Sequence, residues 1–300
     1  MQWQQTIKKA FQISGIGLHS GNTISIKIKS APANHGIVFQ RVDLENKPKI
    51  LACQKNVIST QLATVLGVGE VKVSTVEHLL AAFFGAGVDN ALVEVSGSEI
   101  PILDGSSQIF YESILNTGIK KQRSVRSFIK LLRKVEVYDS EKLAFAEPAS
   151  QMSVKGSIEW DHPSIGFQEY EFFAGKHSFD EIAAARTFGF LQDVEALQKV
   201  GLIQGGSLEN AVVLDQTKVL NPEGLRYSNE FVRHKVLDAL GDFMLVGLPI
   251  QARFCLHRAG HELHAKLVQK IFESPANYEF IKPTTEVFTP VHKPQVVYAT

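Results

Sequence analysis

Cysteine is scarce in this chain of 300 residues, which contains only Cys53 and Cys255. The two lie in very different sequence contexts, and neither belongs to a redox or metal-binding motif. Lone cysteines of this kind are more often small core residues than nucleophiles, and two of them do not make a disulfide scaffold. We therefore expect reduced thiols in a cytoplasmic protein.

An excess of either charge is also absent, because 31 Lys and Arg residues balance 31 Asp and Glu residues. No overall field then attracts nucleic acid or an anionic membrane surface, and we expect no nucleic-acid partner. The longest apolar stretch, residues 79–88, is far below the roughly 20 residues that a membrane-spanning helix needs. Residues 1–6 lack the basic and then apolar order of a secretory signal, which argues against export.

Periodic apolar residues predict strands and helices in the first half of the chain. Apolar and polar residues alternate over 24–29, as in a half-buried strand. Ser74 and Glu77 form an S-x-x-E capping box ahead of an apolar run, so a helix should begin near Ser74. A strand at 91–95 and a helix of about ten residues from Ser106 should follow.

The second half repeats this order. Residues 152–160 alternate like a strand, and residues 229–246 carry apolar side chains at helical spacing. A strand at 251–257 then precedes a helix from about Gly260. Residues 118–127 are basic and poor in apolar side chains, which makes them the best candidate for a domain boundary.

We therefore predict an α+β fold of two similarly built domains, each with helices layered against a sheet, and an active site at their interface. The length suits two modest cores. The expected division is an N-terminal domain at 1–122, a C-terminal domain at 127–275 with an inserted hydrophobic lobe at about 188–215, and a C-terminal tail at 276–300.

His234 and Asp238 are four residues apart on the predicted helix 229–246, so both side chains share one face and could bind one metal ion. This spacing alone is typical of a surface hydrogen bond or a solvated helix face, and that alternative stays open. Asp242 continues the same face one turn later. A catalytic zinc needs a third protein ligand and an open position for water, and His78 is the leading candidate.

Glu77, next to His78, has two interpretations. It can cap the N-terminus of its own helix through the backbone N–H of Ser74. Beside a metal ligand, its carboxylate can instead accept a proton from water whose pKa the metal has lowered to about 7. The same ligands would also accept Fe(II) or another divalent ion, so the metal stays open.

Three histidines, His257, His261 and His264, fall within a short stretch, but the predicted break near Gly260 prevents a metal cluster on one helix face. His261, at the start of the helix, should be the most exposed of the three. A helix-terminal histidine is typically solvated or caps the helix, and we expect this of His257 and His264.

Four separated motifs occur in order along the chain, S-T-V-E-H-L from Ser74, R-T-F-G-F from Arg186, H-K-V-L-D-A-L-G-D from His234 and G-H from Gly260. In these motifs, and over about residues 5–271, the sequence resembles the UDP-3-O-acyl-N-acetylglucosamine deacetylase family. The resemblance implies a two-domain α+β fold with zinc between the domains and an acyl-chain passage formed by the inserted lobe. It also implies the committed step of lipid A synthesis, in a bacterium of the Gram-negative type.

The resemblance further implies roles for individual residues. One Zn²⁺ would be bound by His78, His234 and Asp238. The catalytic residues would be Glu77 as base, His261 as acid, Thr187 at the oxyanion, Lys235 at the substrate and Asp242 as support of the catalytic histidine. Substrate would be bound by Phe188 near the sugar, and by Leu18, Leu62, Phe190, Gly206, Ser207, Ala211 and Val213. The lobe residues among them could equally be core of the lobe.

The expected reaction is hydrolysis of the acetamide of a UDP-linked, 3-O-acylated glucosamine, which gives a free amino sugar and acetate. Glu77 would remove a proton from the attacking water, and His261 would protonate the departing amine. The partner is then a small acylated UDP-amino sugar, and we expect a monomer. Two alternatives remain, another metal-dependent amidohydrolase on the same scaffold and a non-catalytic lipid-binding protein.

Overall fold

A computed structural model describes residues 3–282 of the chain. In the first half, residues of high strand propensity form strands around α1 (Glu77–Ala86) and α2 (Gln108–Thr117). The strands are β1 (Trp3–Ile7), β2 (Phe11–Ile16), β3 (Thr23–Ser30), β4 (Ile37–Arg41), β5 (Lys49–Leu51), β6 (Val57–Ser59), β7 (Val65–Val68), β8 (Val71–Val73) and β9 (Ala91–Val95).

The five-stranded sheet of this half has the order β2-β3-β9-β4-β5, in which β9 and β4 are parallel and the other neighbours antiparallel. β6, β7 and β8 form a smaller antiparallel sheet. The strand predicted over 24–29 is β3, whose Ile24, Ile26 and Ile28 are all buried. Their spacing of two residues places all three on the same face of the sheet.

The second half holds the remaining elements. Its helices are α3 (Asp180–Ala183), α4 (Leu191–Lys199), α5 (Glu230–Phe243) and α6 (His261–Phe272). Its strands are β10 (Ile119–Val125), β11 (Phe128–Leu131), β12 (Val135–Asp139), β13 (Lys142–Pro148), β14 (Ser153–Trp160), β15 (Gly166–Phe173), β16 (Phe188–Phe190), β17 (Val212–Leu214), β18 (Ile250–His257) and β19 (Tyr278–Ile281). A seven-stranded sheet has the path β12-β13-β18-β11-β19, with β14 on β18 and β15 on β14.

α1 and α5 pack against each other where the two halves of the chain meet. α5 also packs on β14 and β15, while α6 packs on β12 and β13. One hydrophobic core runs through this contact and includes Leu79 and Phe83 of α1 with Leu237 and Leu240 of α5. The predicted α+β fold is confirmed. Within residues 3–282, no helix has the length and hydrophobicity that a membrane crossing requires.

The predicted start of the first helix is wrong, and two further segments contain strands that the sequence pattern did not indicate. The capping box is not formed, because α1 begins at Glu77 and the Ser74 hydroxyl donates to the Ser98 carbonyl oxygen instead. The candidate boundary at 118–127 contains β10, which pairs with β1. Tyr278–Ile281 of the expected tail forms β19 at the edge of the second sheet. Residues 283–300 lie outside the described part, and the division into domains stays a prediction.

Gly241 allows α5 to approach α1 closely. A Cβ atom added at Gly241 would overlap the carbonyl oxygen of Glu77 and lie 2.8 Å from its carbonyl carbon. Both are backbone atoms of a buried helix, so neither can rotate away as the end of a flexible side chain would. The close approach places the backbone that carries Glu77 and His78 next to the helix that carries Asp238.

We expect Gly241→Ala to destabilise the fold by about 2 kcal/mol, because the methyl group would force α1 and α5 apart. Metal affinity should fall too, since the predicted ligands lie on both helices. Chemical denaturation and metal titration measure the two effects. Gly189→Ala is the control, because its Cβ would make only an ordinary van der Waals contact, 3.5 Å from Val194 Cγ2. Unchanged stability in the Gly241 variant would contradict the argument.

Candidate metal centre and active site

His78, His234 and Asp238 meet at the contact between α1 and α5. Asp238 Oδ1 lies 3.5 Å from His78 Nε2 and 3.2 Å from His234 Nε2. One ligand atom from each residue lies within 4.8 Å of the other two, and all three side chains are buried. The structure therefore brings the predicted metal ligands together, while metal binding itself stays a prediction.

The polar atoms of this group fit a cation. Asp238 Oδ1 is buried and has no hydrogen-bond partner within residues 3–282, although buried carboxylate oxygens are normally paired. His234 Nδ1 donates to the Ala185 carbonyl oxygen at 3.0 Å, so its Nε2 lone pair faces Asp238. Burial lowers the pKa of His234 to about 3, which keeps the ring neutral as metal ligation requires. Two imidazoles and one carboxylate suit Zn²⁺ and also Fe²⁺.

A second cluster, made of Glu77, Asp242 and His261, lies beside the first. His261 Nδ1 is 2.7 Å from Asp242 Oδ2, and His261 Nε2 is 3.6 Å from Glu77 Oε1. Burial opposes the charge of Asp242, but His261 and His264 outweigh it and hold the pKa of this carboxyl below its usual range. Asp242 is therefore an ionised acceptor that orients the His261 ring.

Glu77 and His261 have pKa values that suit a base and an acid. Burial raises the pKa of Glu77 against the opposing charges of His261 and His78. Burial alone would lower the pKa of His261, but the charges of Asp242 and Glu77 outweigh it and raise the value to about 10. A raised pKa makes the carboxylate a better proton acceptor and keeps the histidine protonated at neutral pH.

Thr64 belongs to this cluster, although no pattern in the sequence indicated it. Its backbone N–H donates to Glu77 Oε2 at 3.1 Å, and its hydroxyl donates to Asp242 Oδ1 at 2.6 Å. Glu77 therefore does not cap its own helix through Ser74, because one carboxylate oxygen faces Thr64 and the other faces His261.

The expectation from sequence that His264 is solvated or caps a helix is wrong. It is 1% exposed rather than solvated, and its Nδ1 lies 2.8 Å from Asp242 Oδ2. The available signal was the spacing of three residues, which places His261 and His264 on neighbouring positions of one helix face. His257 does not cap a helix either, since it ends β18 and its Nδ1 lies 3.0 Å from the Ser157 hydroxyl.

Lys235 and Phe188 lie beside the predicted metal ligands. Lys235 Nζ donates to Asp238 Oδ2 at 3.1 Å and lies 5.5 Å from the centre of the Phe188 ring. The Phe188 ring is 6.5 Å from the ring of His234. Thr187 is placed near this group only by the chain, since Ala185, two residues before it, accepts the His234 hydrogen bond. The positions of Lys235 and Phe188 suit their predicted roles, and the roles of all three residues stay predictions.

The inserted lobe is built from β16, α4 and β17, with β16 and β17 paired in parallel. It meets the loop at 17–21 of the first half, where Gly205 N–H donates to the Leu18 carbonyl oxygen at 3.0 Å. A Cβ added at Gly206 would lie 3.7 Å from Leu18 Cδ1, so the structure brings these two predicted substrate-binding residues together.

The other predicted acyl-binding residues lie in different environments. Val213 is buried in β17, Phe190 and Ala211 are half-buried, and Ser207 is exposed. Leu62 is 46% exposed and is separate from the lobe in sequence, two residues before Thr64. The acyl passage therefore stays a prediction for all of them.

Glu99 fixes the loop that carries Leu18, and no sequence motif singled it out. It is 1% exposed, and its two carboxylate oxygens accept the backbone N–H groups of His19 at 2.9 Å and Ser20 at 3.0 Å. The Thr75 hydroxyl adds a third hydrogen bond at 3.2 Å. A buried carboxylate bonded in this way fixes the loop where it meets the lobe.

The comparisons with known proteins match most of the chain. The family model described as UDP-3-O-acyl N-acetylglycosamine deacetylase matches residues 4–273. Three proteins named UDP-3-O-acyl-N-acetylglucosamine deacetylase are similar to the chain. The one from Myxococcus xanthus is 44% identical, over 93% of this chain and 89% of its own length. The one from a Nitratiruptor species is 42% identical over 94% of each chain. The one from Xylella fastidiosa (strain Temecula1) is 43% identical, over 99% and 98%. The chain therefore belongs to the UDP-3-O-acyl N-acetylglycosamine deacetylase family.

Proposed function

We propose that this protein is a metal-dependent deacetylase of UDP-3-O-acyl-N-acetylglucosamine. Water cleaves the N-acetyl group, and the products are UDP-3-O-acyl-glucosamine and acetate, in the committed step of lipid A biosynthesis. The observation that carries the proposal is the adjacency of two clusters, a buried one fitted to a cation and a mostly buried one arranged as base and acid. The names of the related proteins supply the substrate.

A Zn²⁺ ion held by His78, His234 and Asp238 would polarise the acetamide carbonyl and acidify the attacking water. The chain's own residues perform the proton transfers. Glu77, whose pKa is raised by burial, takes the proton from the water. His261, protonated because its pKa is about 10, gives a proton to the departing nitrogen. Asp242 accepts a hydrogen bond from the Nδ1–H of His261, so that Nε2 is the atom that donates the proton.

The groups around the clusters bind and orient the substrate. Thr187 and Lys235 supply a hydroxyl donor and a positive charge to the oxygen that becomes negative in the transition state. Phe188 offers a half-buried ring to one face of the sugar. The lobe and the loop at 17–21 would then hold the acyl chain, which is apolar and needs an apolar wall. We further propose a cytoplasmic monomer, with zinc as the bound ion.

Acetate release tests the proposal. Purified protein with one equivalent of Zn²⁺ should convert UDP-3-O-acyl-N-acetylglucosamine to equal amounts of acetate and the free amine, detected by mass spectrometry. A chelator should stop the reaction, and added Zn²⁺ should restore it. UDP-N-acetylglucosamine, which lacks the acyl chain, is the control substrate and should react far more slowly. Metal-loaded protein that releases no acetate from the acylated substrate would overturn the proposal.

A further inference from the structure

Thr64 lies between the two groups assigned to proton transfer. It immediately precedes β7 and is 1% exposed. Its backbone N–H donates to Glu77 Oε2 at 3.1 Å, and its hydroxyl donates to Asp242 Oδ1 at 2.6 Å. One residue thus contacts both the carboxylate assigned as base and the carboxylate that orients the acid.

The second oxygen of Asp242 is occupied from the other side. Asp242 Oδ2 accepts the Nδ1–H groups of His261 at 2.7 Å and of His264 at 2.8 Å. An ionised carboxylate only accepts hydrogen bonds, so the Thr64 hydroxyl must be the donor on Oδ1. Three donors on two oxygens hold the plane of the carboxylate against rotation about its Cβ–Cγ bond.

Glu77 is oriented by the same residue. With Oε2 bonded to the Thr64 backbone, the Glu77 carboxylate presents Oε1 toward His261 Nε2, at 3.6 Å. The backbone N–H of Thr64 therefore orients the base, and the hydroxyl of Thr64 orients the carboxylate that supports the acid. Neither contact is with a predicted metal ligand, so removal of the hydroxyl should leave metal binding intact.

We propose that Thr64 is a positioning residue of the deacetylase reaction, which fixes the Asp242–His261 pair relative to Glu77. The inference rests on the proposed function of the site. Without the hydroxyl, the Asp242 carboxylate keeps its two histidine donors but loses the bond that fixes Oδ1. His261 then follows the carboxylate, and its Nε2 leaves the position from which it can protonate the nitrogen.

Thr64→Val tests the role, because valine has nearly the same shape and keeps the backbone N–H but lacks the hydroxyl. We expect kcat to fall by about 10- to 100-fold, as for other residues that orient catalytic groups, with KM within about twofold and full metal content. Thr64→Ser keeps the hydroxyl and should recover kcat to within about threefold of wild type. Thr6→Val is the matched control, since Thr6 is buried and its hydroxyl accepts the Ala31 N–H in the first half.

A second measurement tests the role of Thr64 without depending on which reaction the protein catalyses. In ¹H NMR spectra of the metal-loaded protein, the Nδ1–H signal of His261 should move in Thr64→Val and return in Thr64→Ser. Wild-type protein that releases no acetate would contradict the proposed function alone. An unmoved His261 signal would overturn the inference about Thr64, and so would wild-type kcat in Thr64→Val or a rise in KM at constant kcat. If Thr64→Val does not fold, Thr64→Ala is measured in the same way.

Discussion

Alanine in place of Glu77 is expected to lower kcat by about 10³-fold while the protein keeps its full metal content. The side chain is assigned to proton transfer and makes no contact that the predicted ligand set needs, since its two oxygens face Thr64 and His261. Acetate release and elemental analysis on the same preparation measure the two quantities. A large loss of turnover with bound metal separates a base from a ligand.

Glu77→Gln is the sharper variant of this experiment. Glutamine retains the size of the side chain and can still accept the Thr64 N–H, but its amide does not accept a proton at neutral pH. It should lose as much turnover as the alanine variant. The exposed Glu45, changed to alanine, serves as the surface control and should keep wild-type kcat. Normal turnover in either Glu77 variant would reject the assigned role.

Asp238→Ala, in contrast to the Glu77 variants, should lose its metal as well as its turnover. Its Oδ1 lies between His78 Nε2 and His234 Nε2, and it contributes the negative charge of the predicted ligand set. We expect metal affinity to fall by more than about 100-fold, because a bound divalent ion loses one of three ligands. Competition with a chromophoric chelator measures the affinity, and acetate release measures the turnover.

The control for this variant is Asp242→Ala, one turn further along α5. Asp242 contacts Thr64, His261 and His264, so its loss should reduce turnover without releasing the metal. Two carboxylates on one helix face would then be distinguished by metal content alone. Wild-type metal affinity in Asp238→Ala, or metal loss in Asp242→Ala, would contradict the assignment of the two clusters.

Much of this site could be predicted from local sequence. The spacing of His234, Asp238 and Asp242 places them on one helix face, and α5 forms at the predicted place. His78 could be added as the group at the corresponding position of the first half. The alternative of a solvated helix face is wrong, since all four side chains are buried.

Contacts between distant segments could not be predicted in this way. Thr64 and Asp242 are 178 residues apart, and a lone threonine before a strand has no pattern that indicates a catalytic neighbour. The capping box failed for a related reason, because Glu77 has a tertiary partner that competes with the local one. β19 was missed because a four-residue strand at a sheet edge carries too short a pattern.

The arrangement of His234, Asp238 and Asp242 on α5 makes the site sensitive to the length of this helix as well as to its side chains. One residue inserted between His234 and Asp242 would rotate everything after it by about 100° and advance it by about 1.5 Å. Asp242 would then turn away from Thr64, and Gly241 would no longer face Glu77. A single inserted codon between Asp238 and Asp242 would thus take Asp242 away from Thr64, His261 and His264 while His234 and Asp238 kept their places.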